Sequence, residues 1–261
     1  MTPRAAIQHQ RARGSVALRM GMHGVERIRE AGSAKVRLPR GSREAILINT
    51  GGGLAGGDEF AFDIAAGDGA QLTVTTQAAE RAYRSLGDAA RVSVTLHAGK
   101  GAHLHWLPQE TILFDGSSIA RTITADLDEG AELLAVESVI LGREASGETV
   151  RNVSFRDRWR IRRNGRLAFA DDLAFSGPPP ASAATLNGAR AFATVVLVAD
   201  DAERHLDQLC ANVGEAGSAS AWTGKLVARL LARDGFDLRK ALIPALSALA
   251  RPAGLPGVWS F

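Results

Sequence analysis

Cysteine is nearly absent: Cys210 is the only one in 261 residues. That excludes a disulfide framework, a CxxC redox pair and a thiolate zinc site. Long apolar runs are missing as well, and the longest, around Ala193–Ala199, falls far short of the ~20 residues a membrane helix needs. Arg4, Arg11 and Arg13 near the start are not followed by an apolar segment, so no secretory signal is expected and the chain reads as cytoplasmic. No Gly-x-Ser-x-Gly, His-Glu-x-x-His or Cys/His pair occurs, which leaves nucleophilic and zinc-hydrolase chemistry without support.

What is present is an ordinary globular balance, with 46% apolar and 23% charged residues. Charge is unevenly spread. Residues 1–43 hold ten Arg/Lys against Glu26 and Glu30, whereas residues 44–130 hold twelve Asp/Glu against five Arg/Lys. A basic head suggests nucleic acid. It lacks interleaved aromatics, however, and only four of the 31 basic residues in the chain are lysine, so its arginines follow the general composition. No nucleic-acid partner is expected. Residues 1–32 are read as a basic, partly flexible N-terminal segment preceding one β-rich domain over residues 33–261.

That domain carries an internal repeat. Gly-Ala-x-Leu recurs at Gly69-Ala70-Gln71-Leu72, Gly101-Ala102-His103-Leu104 and Gly130-Ala131-Glu132-Leu133, spaced by 32 and 29 residues. Each is preceded by an alternating strand: Phe60-x-Phe62-x-Ile64, Val92-x-Val94-x-Leu96 and Ile123-x-Ala125-x-Leu127. Each is followed by another: Leu72-x-Val74, Leu104-x-Trp106 and Leu133-x-Ala135. Period two means strands with one buried face, and the glycine supplies the turn between them. A related unit around Asn164-Gly165 has the turn of a hairpin. Strand–turn–strand units at a period near thirty predict stacked layers, β-helix-like or sandwich-like.

After Gly177-Pro178-Pro179-Pro180 the pattern changes. Val195–Val198 predicts a buried strand and Val227-x-Arg229-x-Leu231 another. Leu206, Leu209, Cys210 and Val213 fall at helical spacing, predicting a helix over about 201–214 capped by Asp200 or Asp201. Leu238, Leu242 and Leu246 predict a second helix over about 236–250, which Pro244 should kink or divide.

Two motifs invite stronger readings. Gly51-x-Gly53-x-x-Gly56 follows the apolar strand Ile46-Leu47-Ile48, like a dinucleotide fingerprint, but an alternating strand follows where a helix is required. Gly52-x-x-x-x-Gly57 has Walker spacing, yet Asp58 stands where the lysine belongs and would repel phosphate. A tight glycine turn is expected. Period two places His103 and His105 on one strand face, with His97 not far before. No third or fourth ligand lies nearby in sequence, so exposed strand histidines are expected rather than a metal site. Composition and spacing leave a free-standing enzyme and a β-solenoid scaffold without a metal role both open.

Longer strings narrow this. They are Thr50-Gly51-Gly52-Gly53-Leu54-Ala55-Gly56-Gly57-Asp58, Leu72-Thr73-Val74-Thr75-Thr76-Gln77-Ala78-Ala79, Tyr83-Arg84-Ser85, Trp106-Leu107-Pro108-Gln109-Glu110-Thr111-Ile112-Leu113-Phe114-Asp115-Gly116 and Leu141-Gly142-Arg143-Glu144-Ala145-Ser146-Gly147-Glu148. In this order and spacing the chain resembles the urease accessory protein D family (UreD, or UreH) from about Ser33 to the C-terminus. The WLPQETILFDG string is the most specific. Ala55 and Glu144 depart from the expected Val and Pro, and the N-terminal head and the histidines fall outside the pattern.

The resemblance implies a mainly β, helix-like body with a pair of helices and no enzymatic activity. It implies binding to apo-urease and to UreF, which recruits the GTPase UreG, and passage of Ni²⁺ toward the urease site. No tightly bound cofactor is implied, only transient Ni²⁺. A relay must release its cargo, which favours carboxylates, hydroxyls and amides over thiolates or a full imidazole shell. In the matched strings these are Asp58, Glu110, Asp115 and Glu137, with Thr75, Thr76 and Gln77. Asp115, before Gly116, suits a turn equally well. Glu137 stands out because it lies between Ala135-Val136 and Val139-Ile140-Leu141, and a carboxylate inside an apolar strand needs a reason. Tyr83 and Arg84 are candidate partner contacts.

Overall fold

A computed structural model describes residues 11–143 and 146–260; Glu144 and residues 1–10 lie outside the described residues. The chain runs through β1 (Arg13–Gly21), β2 (Gly24–Gly32), β3 (Ala34–Arg37), β4 (Glu44–Asn49), β5 (Glu59–Ala66), β6 (Gln71–Thr76), β7 (Glu80–Ala82), β8 (Ala90–Ala98) and β9 (His103–Leu107). It continues through β10 (Thr111–Leu113), β11 (Ser118–Leu127), β12 (Glu132–Leu141), β13 (Val153–Arg163), β14 (Arg166–Gly177) and β15 (Ala191–Val198). Last come α1 (Leu206–Val213), β16 (Gly217–Trp222), β17 (Lys225–Ala232) and α2 (Gly235–Leu249).

The strands form two sheets. The first has the order β14-β13-β11-β8-β5-β1-β2, and the second β16-β17-β15-β12-β9-β6-β4-β3, with β10 also pairing with β12 and β7 with β10. Between them the chain alternates: β5 lies in the first sheet and β6 in the second, β8 in the first and β9 in the second, β11 in the first and β12 in the second. The central ladders β5–β8, β8–β11, β6–β9 and β9–β12 are all parallel. This is the mainly β, solenoid-like stacking expected from the repeat, with two helices near the C-terminus.

The Gly-Ala-x-Leu strings are the corners where each coil steps between sheets. Gly69, Gly101 and Gly130 have φ of +63°, +60° and +69°, a left-handed conformation that glycine adopts at little cost. The alanine after each is buried, and the leucine beyond it enters the core. Successive corners bond to one another: the His103 N–H donates to the Ala70 carbonyl at 2.9 Å, and the Glu132 N–H to that of Ala102 at 2.8 Å. Each coil thus templates the next. The β13–β14 connection is a true antiparallel hairpin, with Asn164 and Gly165 both at positive φ.

One core lies between the sheets, where Ile64, Leu96, Ile123 and Trp159 meet Leu72, Leu104 and Leu133. A second lies between the second sheet and the helices, around Val195, Leu242, Leu246 and Trp259. Burial of each large side chain contributes about 2 kcal/mol.

Three expectations need correction. The basic segment does not stand apart: from Arg13 onward it forms β1 and β2, and β1 pairs in parallel with β5. Val16, Leu18 and Met20 alternate inward beneath the arginines and are buried in the first core. Asp201 precedes a short 3₁₀ turn over 202–205 without a side-chain cap bond, and α1 starts only at Leu206. Pro244 does not divide α2; Lys240, whose carbonyl the proline deprives of a helical partner, lies on the exposed side.

Candidate functional site

A cavity of about 220 Å³ opens between the sheets at the end away from the glycine corners. Phe60 and Phe62 of β5, Val94 of β8 and Trp106 of β9 make its walls apolar. The polar residues Asn49, Thr76, Gln77 and Glu80 line the loop side, with Gln77 exposed.

Glu137 and Arg121 form part of the lining, and both are buried, at 4% exposure each. Arg121 of β11 sits in the first sheet and Glu137 of β12 in the second, so their ion pair bridges the two layers. Arg121 also donates through Nε and Nη2 to the two carboxylate oxygens of Asp157 on β13, at 3.0 and 2.8 Å, and through Nη1 to Thr111 Oγ1 at 3.3 Å. Trp106 Nε1 donates to Glu137 Oε1 at 2.9 Å, and Trp159 Nε1 to Asp157 Oδ2 at 3.1 Å. Two buried carboxylates therefore share one guanidinium. Burial pushes the Glu137 carboxyl up to about 7 against the opposing pull of Arg121. With both carboxylates ionised the triad carries one net negative charge, and that charge lies at a cavity wall. Glu80 is likewise held above the usual carboxylate range by burial, although Asn49 Nδ2 donates to both of its oxygens.

Of the relay candidates, Glu137, Thr76 and Gln77 line this cavity. The others are placed elsewhere. Asp58 is buried but accepts from the Ala12 and Ala55 N–H groups at 2.8 and 2.7 Å, which pins β1 and the glycine turn to the start of β5. Glu110 accepts from Arg239 Nη1 at 2.9 Å, tying the WLPQE string to α2. Asp115 accepts from the Arg151 and Asn152 N–H groups at 2.8 and 3.0 Å, which hold its carboxyl below the usual range. These donors lie 36 and 37 residues further along the chain, so Asp115 ties its loop to the segment before β13. Thr75 is buried and its hydroxyl reaches the Thr76 carbonyl at 3.5 Å.

Tyr83 donates to the Gly52 carbonyl at 2.8 Å and stands edge-on to Phe114, their centroids 5.2 Å apart. Arg84 Nη2 donates to Asp115 Oδ2 at 3.1 Å. A shallow groove beside Tyr83 and Phe114 shares Arg81 with the cavity lining, so this partly exposed surface borders the opening.

Arg121, Asp157 and Glu80 were not anticipated, although a signal existed for two of them. Ile119-x-Arg121-x-Ile123 and Phe155-x-Asp157-x-Trp159 each place a charge in the inward phase of an alternating strand. His105 is also misread by sequence, being buried at 2% exposure. Its neighbours His97 and His103 are partly exposed, at 40% and 37% of their side chains. Among the described residues no helix is long and apolar enough to cross a membrane.

Residues 9–260 match the model of a family described as UreD urease accessory protein. The match begins well before Ser33, in keeping with β1 and β2 being part of the sheet. A relative named urease accessory protein UreD from Rhizobium etli is 49% identical over 98% of this chain and 97% of its own length. The protein of the same name from Agrobacterium fabrum is 46% identical, covering 97% and 92%. Urease accessory protein UreD 1 of Brucella melitensis is 45% identical, covering 94% and 91%.

Proposed function

The chain belongs to the UreD family of urease accessory proteins, and on that premise we propose that it is a cytoplasmic urease-maturation chaperone that conducts Ni²⁺ through the inter-sheet cavity. It binds apo-urease and UreF, and receives the ion from UreG through UreF. The observation that carries this reading is Glu137: a buried carboxylate at the wall of the cavity between the sheets, in a triad with excess negative charge. Such a site attracts a cation but offers no thiolate and no imidazole to retain it. The groove by Tyr83 and Phe114, next to the opening, is the surface on which a partner would dock to feed it.

The test is reconstitution of apo-urease with UreF, UreG, GTP and Ni²⁺, with and without this chain. Urease gains nickel and activity only in its presence, and the chain alone hydrolyses neither urea nor GTP. Nickel loading that is independent of the chain overturns the reading, as does turnover by the pure chain once traces of urease and UreG are removed.

The unpartnered chain is also expected to aggregate. Tyr83, Leu86 and Phe236 are exposed apolar side chains, at 37%, 73% and 67%, and both sheets end in open strand edges at β2, β14, β16 and β3. Co-expression with UreF should raise its soluble yield several-fold. A monodisperse monomer at high concentration without UreF would count against a UreF-covered surface.

A further inference from the structure

The histidines set aside on sequence acquire a third neighbour in the fold. Strand β9 pairs in parallel with β12 in a register that places Glu132 opposite His103. Its carboxylate then lies between the two imidazoles, with Oε2 at 3.5 Å from His103 Nδ1 and Oε1 at 3.7 Å from His105 Nε2. Both ring nitrogens are buried and have no hydrogen-bond partner. Leaving two such atoms unsatisfied costs on the order of 1–3 kcal/mol each, so the arrangement calls for something that serves both.

We propose that His103, His105 and Glu132 form a binding site for a borderline divalent cation, Ni²⁺ or Zn²⁺. The spacing suits this. Two donors on one ion, each at ~2.1 Å with a tetrahedral angle between them, stand about 3.4 Å apart. The observed separations of 3.5 and 3.7 Å are close to this. Two imidazoles and one carboxylate select Ni²⁺ or Zn²⁺ over Mg²⁺ or Ca²⁺, and three protein donors leave room for exchangeable water. His105 is the fixed member: it is 2% exposed, and its Nδ1 lies 3.4 Å from Thr73 Oγ1 on β6. With the Thr73 oxygen accepting from Nδ1–H, the Nε2 lone pair points toward Glu132, the tautomer that ligates.

Among the described residues no three such side chains already converge on one point. Closure therefore requires the two outer ligands to turn toward His105. Glu132 and His103 retain 18% and 37% of their side-chain exposure and have the freedom to do so.

This site is separate from the cavity. Leu104 and Trp106 of β9 point into the first core, so His103 and His105 face the opposite side of the sheet. The C-terminal segment crosses that side, where Trp259 Nε1 donates to the Leu107 carbonyl at 3.0 Å and the Gly257 backbone reaches the Glu44 carboxylate.

The test uses the full chain with a histidine-free affinity tag, titrated with Ni²⁺ and with Zn²⁺ by calorimetry and equilibrium dialysis. The wild type should bind one ion that His103→Ala and Glu132→Gln each weaken at least tenfold. X-ray absorption of the nickel form should show imidazole nitrogen, reduced in His103→Ala. His97→Ala, on β8 of the first sheet, should retain the site in full. Neither His103 nor Glu132 belongs to either apolar core, so both variants should keep close to the wild-type melting temperature in the absence of metal, and the rise that metal produces should be lost. Unchanged affinity and stoichiometry in both folded variants, or bound nickel without an imidazole signature, overturns the proposal. So does a wild type that binds neither ion.

Discussion

Glu137→Gln should cut nickel loading of urease by at least about tenfold while leaving the chain folded and its complexes assembled. The amide keeps the shape of the side chain and an oxygen to accept from Trp106 Nε1, so the packing of the cavity wall survives. What disappears is the excess negative charge of the triad. A divalent ion ~6 Å from one unit charge gains about 5 kcal/mol at an effective dielectric of ~20, before the cost of shedding its own water. Even a fraction of that exceeds the 1.4 kcal/mol that corresponds to a tenfold effect.

The same residue predicts a pH dependence. The Glu137 carboxyl titrates near 7 in the folded chain, against an ordinary value of 4.5. Below 7 it is protonated and the triad is neutral; above 7 the triad is negative. Nickel transfer by the wild type should therefore rise through pH 7, and Glu137→Gln should be low and flat. Stability should move oppositely. Between 4.5 and 7 the folded chain binds the proton that the unfolded chain has released, so the wild type loses stability as pH rises through this window. Glu137→Gln should lose less, and at pH 8 it should melt at or above the wild-type temperature. Nickel content and activity of urease matured with each variant, beside a pull-down of the complex, decide the matter. Full activation by a well-assembled Glu137→Gln variant would falsify the charge-based role. Glu137→Ala is a poorer probe, because it also leaves the buried Trp106 N–H without its acceptor.

Arg121→Met should be strongly destabilising. It removes the guanidinium paired with both carboxylates and leaves Glu137 and Asp157 buried without it. Breaking a buried charge pair in this way costs roughly 3–5 kcal/mol, a large share of the 5–15 kcal/mol that holds a typical domain together. Most of the protein should become insoluble. Lysine should not rescue it, because one ammonium cannot reproduce the two-pronged bond to Asp157 together with the contacts to Glu137 and Thr111. Neutralising the partners should. The triple variant Arg121→Met, Asp157→Asn, Glu137→Gln is expected to recover much of the soluble yield and urea midpoint, yet remain inactive in nickel transfer. An Arg121→Met protein with the wild-type midpoint would show that the triad contributes nothing to stability.

Inactivity of the triple variant would also separate the two roles of the triad. Restored folding without restored transfer means that the charge is kept for the ion, since a well-packed neutral core serves stability equally well.

The period-two alternation, the glycine corners at a spacing near thirty and the helical spacing after Asp201 are local properties, and they determined on their own the mainly β character, the coil-by-coil layering and the two helices. Glu137 was legible for the same reason, since a carboxylate inside an apolar strand is visible without knowing what lies opposite. Partners are another matter. Asp58, Glu110 and Asp115 were also relay candidates, but distant backbone N–H groups and Arg239 use their oxygens for holding loops and α2 in place. Arg121, Asp157 and Glu137 come from three strands in two sheets, and Glu132 reaches the histidines only because β12 pairs with β9 in one register and not the next. An alternating pattern states which face of a strand is buried. It carries no term for which strand lies alongside or across the core, and only the tertiary structure decided that, through the ladder hydrogen bonds and the packing of one sheet on the other.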